Sequence, residues 1–280
     1  MQSFWFHRFP HRSGSQQSRT HRVRCHPFRS KGQATGCRRG YVPVPPRSRE
    51  TTRPVTTQFY LPVLPIIGEP TDTQAWAHLI PTIDVIIEAL GGTVDLSNIT
   101  LTLLNVVATT AQSTRPIGSP NVSFIHTSGA WVHGSSTDEV VSDTTPLLNP
   151  VTFVAWRPAI EQAVLKHDRV NGIVIRPTML YGKSASLFAS VFEAAETGRQ
   201  VAWYGKPGGR FSLIHADDLA DVYVRAVEKA PILGGLAIDA SNETTESVED
   251  FLQKVIQVSG AKGSHGWIEP TNGVLWFVWY

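Results

Sequence analysis

From residue 61 onward, short runs that are apolar at nearly every position alternate with longer stretches in which apolar residues recur every three or four positions. The runs predict strands buried on both faces, and the 3.6-residue recurrence predicts helices packed by one face. The predicted strands are LPVLPII (61–67), IDVIIEAL (83–90), VSFIHT (122–127), GIVIRP (172–177) and LAIDAS (236–241). The predicted helices are a short one over 73–80, one carrying Leu96, Ile99, Leu103, Val106 and Val107, and one over 158–167. Three more follow: 187–197, stopped by Gly198; 217–229, with Asp217 as N-cap; and 248–258, ending near Gly260. Strand and helix alternate throughout. That order predicts an α/β fold, a parallel sheet with helices on both faces.

The first 60 residues break the pattern. Neither period is present, and Arg, Ser, Pro and His dominate. Residues 1–54 hold 12 Lys+Arg against one acid, Glu50, whereas the remainder holds 13 against 22. The formal net charge of +2 thus joins a basic arm to an acidic body. Three readings of the arm compete. Arg and Ser with few acids suit a mitochondrial transit peptide, but Pro10, Pro27, Pro43, Pro45 and Pro46 interrupt any amphipathic helix. Charge alone suits a nucleic-acid arm. The favoured reading is a product of a shifted frame or misplaced exon, giving an arm over 1–60 and one domain over 61–280.

Composition narrows the class. The chain is 41% hydrophobic and 17% charged, as in globular proteins. No stretch reaches the length of a membrane span. Cys25 and Cys37, with His26, match no zinc-finger spacing. Without a secretory signal, the acceptor triplets at Asn98, Asn121 and Asn242 are read as unmodified, and a cytoplasmic location is expected, or a mitochondrial one if the arm is a transit peptide.

In open parallel sheets, ligands bind beyond the carboxyl ends of the strands. The residues at those ends are Gly68 and Glu69; Ala89, Leu90 and Gly91; Thr127, Ser128 and Gly129; and Pro177 and Thr178. Small residues there let a cofactor approach the backbone. Any one such group is ordinary turn chemistry; several in register favour a ligand.

Three segments occur in order: TSGAWVHG (127–134), RPTMLYG (176–182) and SLIHADDLA (212–220). They resemble the Ser-rich strand end with Val-Tyr-Gly, the Arg-Pro-x-x-x-Tyr-Gly turn and the Ile-His-Val-x-Asp-Leu-Ala segment of the NAD-dependent epimerase/dehydratase family, the extended short-chain dehydrogenases/reductases. The resemblance covers about residues 63–260. It implies a Rossmann-type doubly wound parallel sheet, a small C-terminal substrate region, NAD or NADP as cofactor and a small-molecule substrate, with nucleic acid and membrane not expected as partners.

The family's chemistry uses a Tyr that exchanges a proton, a Lys four residues on that holds the nicotinamide ribose, and a Ser or Thr on the substrate oxygen. Matching Glu161-Gln162 puts Phe153 at the Tyr position and Arg157 at the Lys position. Matching Val132 and Gly134 puts Gly129 at the Ser position, beside Ser128 and Ala130. All three groups are altered, as in atypical members. Arg157 keeps a cation for the ribose, though Arg and Lys are not interchangeable. Tyr181, His126, His133 and His215 are alternative proton carriers. His215 belongs to a segment that in the family mainly supports structure, His133 is expected to pack at the sheet edge, and Asp217 and Asp218 are expected to cap a helix.

Substrate class is weakly marked. Nucleotide-sugar members carry an Arg four residues before the motif His; here Phe211 holds that position, with Arg210 one place early. Arg210, Phe211 and His215 are the substrate-region candidates, and Trp131, Trp156, Trp203 and Phe211 could line an apolar pocket, with core the favoured reading. The family opens on a strand and a Gly-x-x-Gly-x-x-Gly turn that cradles pyrophosphate. Its nearest counterpart, GQATGCRRG (32–40), is one residue off in spacing and lacks a preceding apolar strand. It is read as coincidence, so the sheet is expected to be incomplete at its N-terminal side. The ending TNGVLWFVWY is expected to be truncated or misread. Two functions remain open: a divergent NAD(P)-binding oxidoreductase acting on a small carbonyl or hydroxyl compound, and a non-catalytic dinucleotide-sensing protein.

Overall fold

A computed structural model describes residues 3–7, 64–91, 95–135, 140–183, 186–204, 207–261 and 266–268, the first five and Tyr204 by backbone only. The motif at 32–40, the two cysteines and the aromatic ending lie outside the described residues.

Its elements, in chain order, are β1 (Ser3–His7), β2 (Val85–Ala89), α1 (Leu96–Thr114), β3 (Ser123–Thr127), α2 (Arg157–Leu165), β4 (Asn171–Pro177), β5 (Met179–Tyr181), α3 (Ala189–Glu196), β6 (Ala202–Tyr204), β7 (Arg210–His215), α4 (Ala216–Glu228), α5 (Ala230–Leu233), β8 (Ala237–Ala240), β9 (Thr245–Ser247), α6 (Val248–Ser259) and β10 (Gly266–Ile268). Short 3-10 turns span Thr73–Ala75, Ala77–Thr82, Ala130–His133 and Thr152–Val154.

The main sheet has the order β1-β2-β3-β4-β8. β2, β3, β4 and β8 run parallel, so their carboxyl ends share one edge. β1 pairs antiparallel with β2, Ser3 opposite Ala89 and His7 opposite Val85. Its presence departs from the expectation that the first 60 residues hold no strand pattern.

Side-chain alternation divides the sheet between two cores. Ile86, Phe124 and Val174 face Leu103, Leu104 and Val107 of α1, Val164 of α2, and Trp76 and Ile80 of the 3-10 turns. Val85, Ile125, Ile173 and Ile175 face Leu219, Ala226 and Val227 of α4 and Ala230 of α5. Each such aliphatic side chain, fully buried, contributes about 1.5–3 kcal/mol. Coverage on both faces explains why the strands read as continuous apolar runs.

A third core lies in the C-terminal region, where Phe188, Trp203, Phe211, Val248 and Leu252 pack between α3, α6 and two small sheets, β5-β7-β9 and β6-β10. α1 begins where Asp95 accepts the Asn98 N–H at 3.3 Å, and α6 where Ser247 accepts the Asp250 N–H at 3.2 Å. α6 ends at Gly260, whose φ of 69° suits glycine. The strand expected at 61–67 does not form in its described part. Leu64 and Ile67 are 75% and 94% exposed, and Pro65 lacks the N–H a ladder needs. The short helix expected at 73–80 is two 3-10 turns.

Candidate functional site

The shared carboxyl edge gathers most of the residues expected there. β2 ends at Ala89, β3 at Thr127 and β4 at Pro177, so Leu90, Ser128, Gly129 and Thr178 follow directly. Several backbone donors on this edge are already engaged. Ser128 N–H donates to the Ile175 carbonyl at 2.8 Å and Thr178 N–H to the Ala240 carbonyl at 3.0 Å. Leu90 N–H donates to Glu88 Oε1 at 3.0 Å. Gly91 faces open space. Gly68 and Glu69 are exposed in the turn before the 3-10 segments, with Glu69 O accepting the Asp72 N–H, and no described strand ends at them.

Beneath the edge, on the face covered by α1 and α2, lies a row of buried ionisable groups. Glu88 is 1% exposed and His126, its register partner, 2%. His126 Nδ1 bonds Glu88 Oε2, which also accepts from Thr100 Oγ1 at 3.3 Å. Glu161 on α2 is fully buried and takes both Nε and Nη2 of Arg176, the latter at 2.7 Å. Arg176 Nη1 reaches Asp239 Oδ1 at 3.5 Å, and Asp239 Oδ2 bonds His133 Nε2 at 2.8 Å. A buried fork-to-carboxylate pair of this kind needs every hydrogen bond it makes, since neither ion is solvated.

Arg157 opens α2, with Pro158 in the first turn. Its Nη1 stands 3.2 Å from where a Cβ on Gly129 would be, and its guanidinium lies over the Trp156 ring at 5.2 Å. Burial pulls the Arg157 pKa below its ordinary value, and the carboxylates of Glu88 and Glu161 oppose that shift. Four buried atoms of this face, His126 Nε2, Ser128 Oγ, His133 Nδ1 and Arg157 Nε, make no hydrogen bond among the described residues. Buried polar atoms without partners carry a desolvation cost that a ligand can relieve. From the opposite face, Tyr223 of α4 bonds Thr127 Oγ1 at 2.6 Å, and burial pushes its phenol well above the usual range.

The structure therefore brings together Ala89, Leu90, Thr127, Ser128, Gly129, Arg157, Pro177 and Thr178. Phe153 lies on the Thr152–Val154 turn, 61% exposed. The substrate-region candidates are elsewhere. Phe211 is buried in the third core, in edge contact with Phe188 and Trp203. Arg210 donates to Thr245 Oγ1 and to the Thr245 carbonyl, at 2.7 and 2.6 Å. His215, not Asp217, caps α4: its Nδ1 accepts the Asp217 N–H at 3.2 Å. Its ring also fills the space against Gly182, where a Cβ would come 2.2 Å from Nε2. Asp217 instead binds Lys183 Nζ at 2.8 Å.

Sequence reasoning missed Glu88, Thr100, Arg176, Asp239 and Tyr223 as members of this neighbourhood. Glu88 carried a signal, as the one acid inside the otherwise apolar stretch 85–90.

A family model for the NAD dependent epimerase/dehydratase family matches residues 46–234, starting inside the segment assigned to the basic arm. No curated protein sequence matches the chain. Among solved structures it is similar to the dTDP-glucose 4,6-dehydratase of Bacillus anthracis in complex with NAD, at 15% identity over 78% of this chain and 70% of that one, with a TM-score of 0.63. It is also similar to UDP-glucuronic acid 4-epimerase from Bacillus cereus in complex with NAD, at 16% identity over 77% and 71%, TM-score 0.58. RMD from Pseudomonas aeruginosa, complexed with NADPH, matches at 15% identity over 75% and 77%, TM-score 0.59. At these identities the likeness is one of fold. Among the described residues no helix is long and apolar enough to cross a membrane, and no group of three or more His, Cys, Asp or Glu side chains is arranged to hold a metal ion.

Proposed function

The chain belongs to the NAD-dependent epimerase/dehydratase family, and from that membership we propose that it binds NAD or NADP along the carboxyl edge of its sheet and acts as a divergent oxidoreductase on a small carbonyl or hydroxyl compound. The observation that carries this reading is the set of buried atoms below that edge that have no partner among the described residues, His126 Nε2, Ser128 Oγ and Arg157 Nε among them. They fit a polar ligand: Ser128 and Arg157 have hydrogens to give, and His126 gives or accepts according to its proton.

The bound dinucleotide would supply hydride exchange. Arg157, at the family's Lys position, would hold the ribose as a fixed cation. Ser128 Oγ–H would donate to a substrate oxygen. Phe153 has no hydroxyl, so the proton that the family's Tyr carries must be held by another group. His126 is suited to that role, because Glu88 holds its Nδ1 and fixes which nitrogen is left over.

The substitutions at 153, 157 and 129 favour a second reading, a dinucleotide-sensing protein without turnover. Tryptophan quenching and energy transfer on adding NADH and NADPH, followed by a panel of small carbonyl compounds, separates the two. Binding with turnover supports the oxidoreductase and binding without turnover the sensor. No binding of either dinucleotide overturns both.

A further inference from the structure

The C-terminal region holds a pocket of about 650 Å³, within the range of small-molecule sites. Its apolar lining comes from Phe188, Phe192, Phe251, Leu213 and Tyr181. Phe188 is fixed: it stacks on Trp203 at 5.2 Å between ring centroids and meets Phe251 at 5.0 Å. Phe192 is 48% exposed, with its ring edge toward Phe251 at 6.3 Å. The pocket thus has a rigid aromatic floor and one partly uncovered ring.

The mouth is acidic. Its described charged residues are Lys183, Glu193, Glu196 and Glu246. Lys183 is paired with Asp217 at 2.8 Å and Glu193 with Arg199 at 2.9 Å, and these pairs cancel. Glu196 and Glu246 are exposed, and among the described residues neither carboxylate has an ion-pair or hydrogen-bond partner. No described cation is left to meet an anion. Arg210, on the strand beside Glu246, is spent on Thr245, and Phe211 fills the core.

We propose that this pocket takes a small ligand with an apolar body of aromatic size and a positively charged group, and that it excludes the diphosphate of a nucleotide sugar. Phosphate recognition requires Arg or Lys donors facing the ligand. An ammonium finds the reverse here: two carboxylates without a partner among the described residues, and an aromatic face at Phe192. The assignment goes beyond the dinucleotide reading and does not depend on it.

The test compares four probes on the full chain by calorimetry and saturation-transfer NMR: 3-phenylpropylamine, 3-phenylpropanol, 3-phenylpropionate and uridine diphosphate. At low ionic strength the ammonium is expected to bind about five-fold more tightly than the alcohol, with the margin shrinking as salt screens the carboxylates. The two anions should bind more weakly than the alcohol. In the double variant Glu196→Gln, Glu246→Gln the amine should fall to the alcohol's affinity while the alcohol is unchanged. Phe192→Ser, at a half-exposed position, should weaken both. Melting curves establish first that each variant is folded. Uridine diphosphate or the propionate binding as tightly as the amine would overturn the proposal. So would an amine preference that survives the double variant, or no binding of any probe to folded protein. Amine binding by a chain that ignores NADH leaves this assignment standing and removes the dinucleotide reading.

Discussion

The guanidinium of Arg157 occupies the volume that a side chain at residue 129 would claim, with Nη1 3.2 Å from the ideal Cβ of Gly129. Gly129 has a φ of 178°, extended backbone open to any residue, so the constraint is spatial. The two family positions are therefore coupled: a cation long enough to reach across accompanies a residue with nothing to obstruct it.

Gly129→Ser should consequently displace Arg157 by a few tenths of an ångström and cost about 1 kcal/mol. Arg157→Ala should relieve that cost, giving a coupling energy of about 0.5 kcal/mol or more in a double-mutant cycle. Denaturant melts of the four proteins measure it. Additive effects would show that the two residues do not share this space.

Glu88 has three partners below the edge: the Leu90 N–H, Thr100 Oγ1 and His126 Nδ1. Glu88→Ala strips all of them and leaves Arg157 without one of the two carboxylates that favour its charge. The expected cost is about 3 kcal/mol or more in urea unfolding, because buried donors lose their acceptor at about 1–3 kcal/mol each. Glu88→Gln keeps the shape and an acceptor oxygen, and should cost clearly less.

Strand β4 touches helix α2 at Gly172, where an added Cβ would lie 1.9 Å from the Val164 carbonyl oxygen. No rotamer change removes a clash with backbone. Gly172→Ala should therefore destabilise by about 3 kcal/mol or more, pushing α2 and Arg157 away from the sheet. Gly118→Ala serves as a contrast: there a Cβ meets nothing within 4 Å, and its φ of 84° leaves only local strain. A melting temperature for Gly172→Ala equal to that of the parent would contradict the packing described here.

Tyr223 should give the fold a sensitivity to alkali. An unfolded tyrosine titrates near 10.0, and burial raises the folded value. The fold thus favours the protonated phenol. Its contribution is whole below pH 10 and is lost as pH climbs from there toward the folded pKa. Tyr223→Phe should lose about 1 kcal/mol at neutral pH with the Thr127 hydrogen bond, yet decline less steeply than the parent above pH 10. Urea titrations at pH 8 and pH 11 compare the two slopes.

The parallel sheet was legible because burial on both faces leaves a mark at every position of β2, β3 and β4. The carboxyl edge of the sheet was legible because small residues gather where those runs stop, at Ala89, Ser128 and Gly129. What stayed hidden depends on residues brought together from distant parts of the chain. Arg176 read as half of an Arg-Pro turn, and only register beside β8 puts it next to Asp239. Phe211 is apolar in a position where relatives carry a cation, and only the third core shows that Trp203 and Phe188 enclose it. The run at 61–67 failed for a local reason, since proline supplies hydrophobicity without a donor. Asp217 lost the cap to His215 because the helix starts at Ala216, which puts Asp217 inside the first turn with its own N–H donated to the imidazole one residue ahead of the helix.

The reversed direction of β1 decides where the chain enters and leaves the sheet. Ser3 stands beside Ala89 at the ligand edge, and His7 beside Val85 at the far edge. A parallel strand in that place would end at the carboxyl edge of its neighbours; this one ends at the opposite edge. Anything joined ahead of Ser3, an affinity tag included, enters the sheet at the carboxyl edge of the parallel strands. Ligand titrations on this protein should therefore be run with the tag at the other terminus.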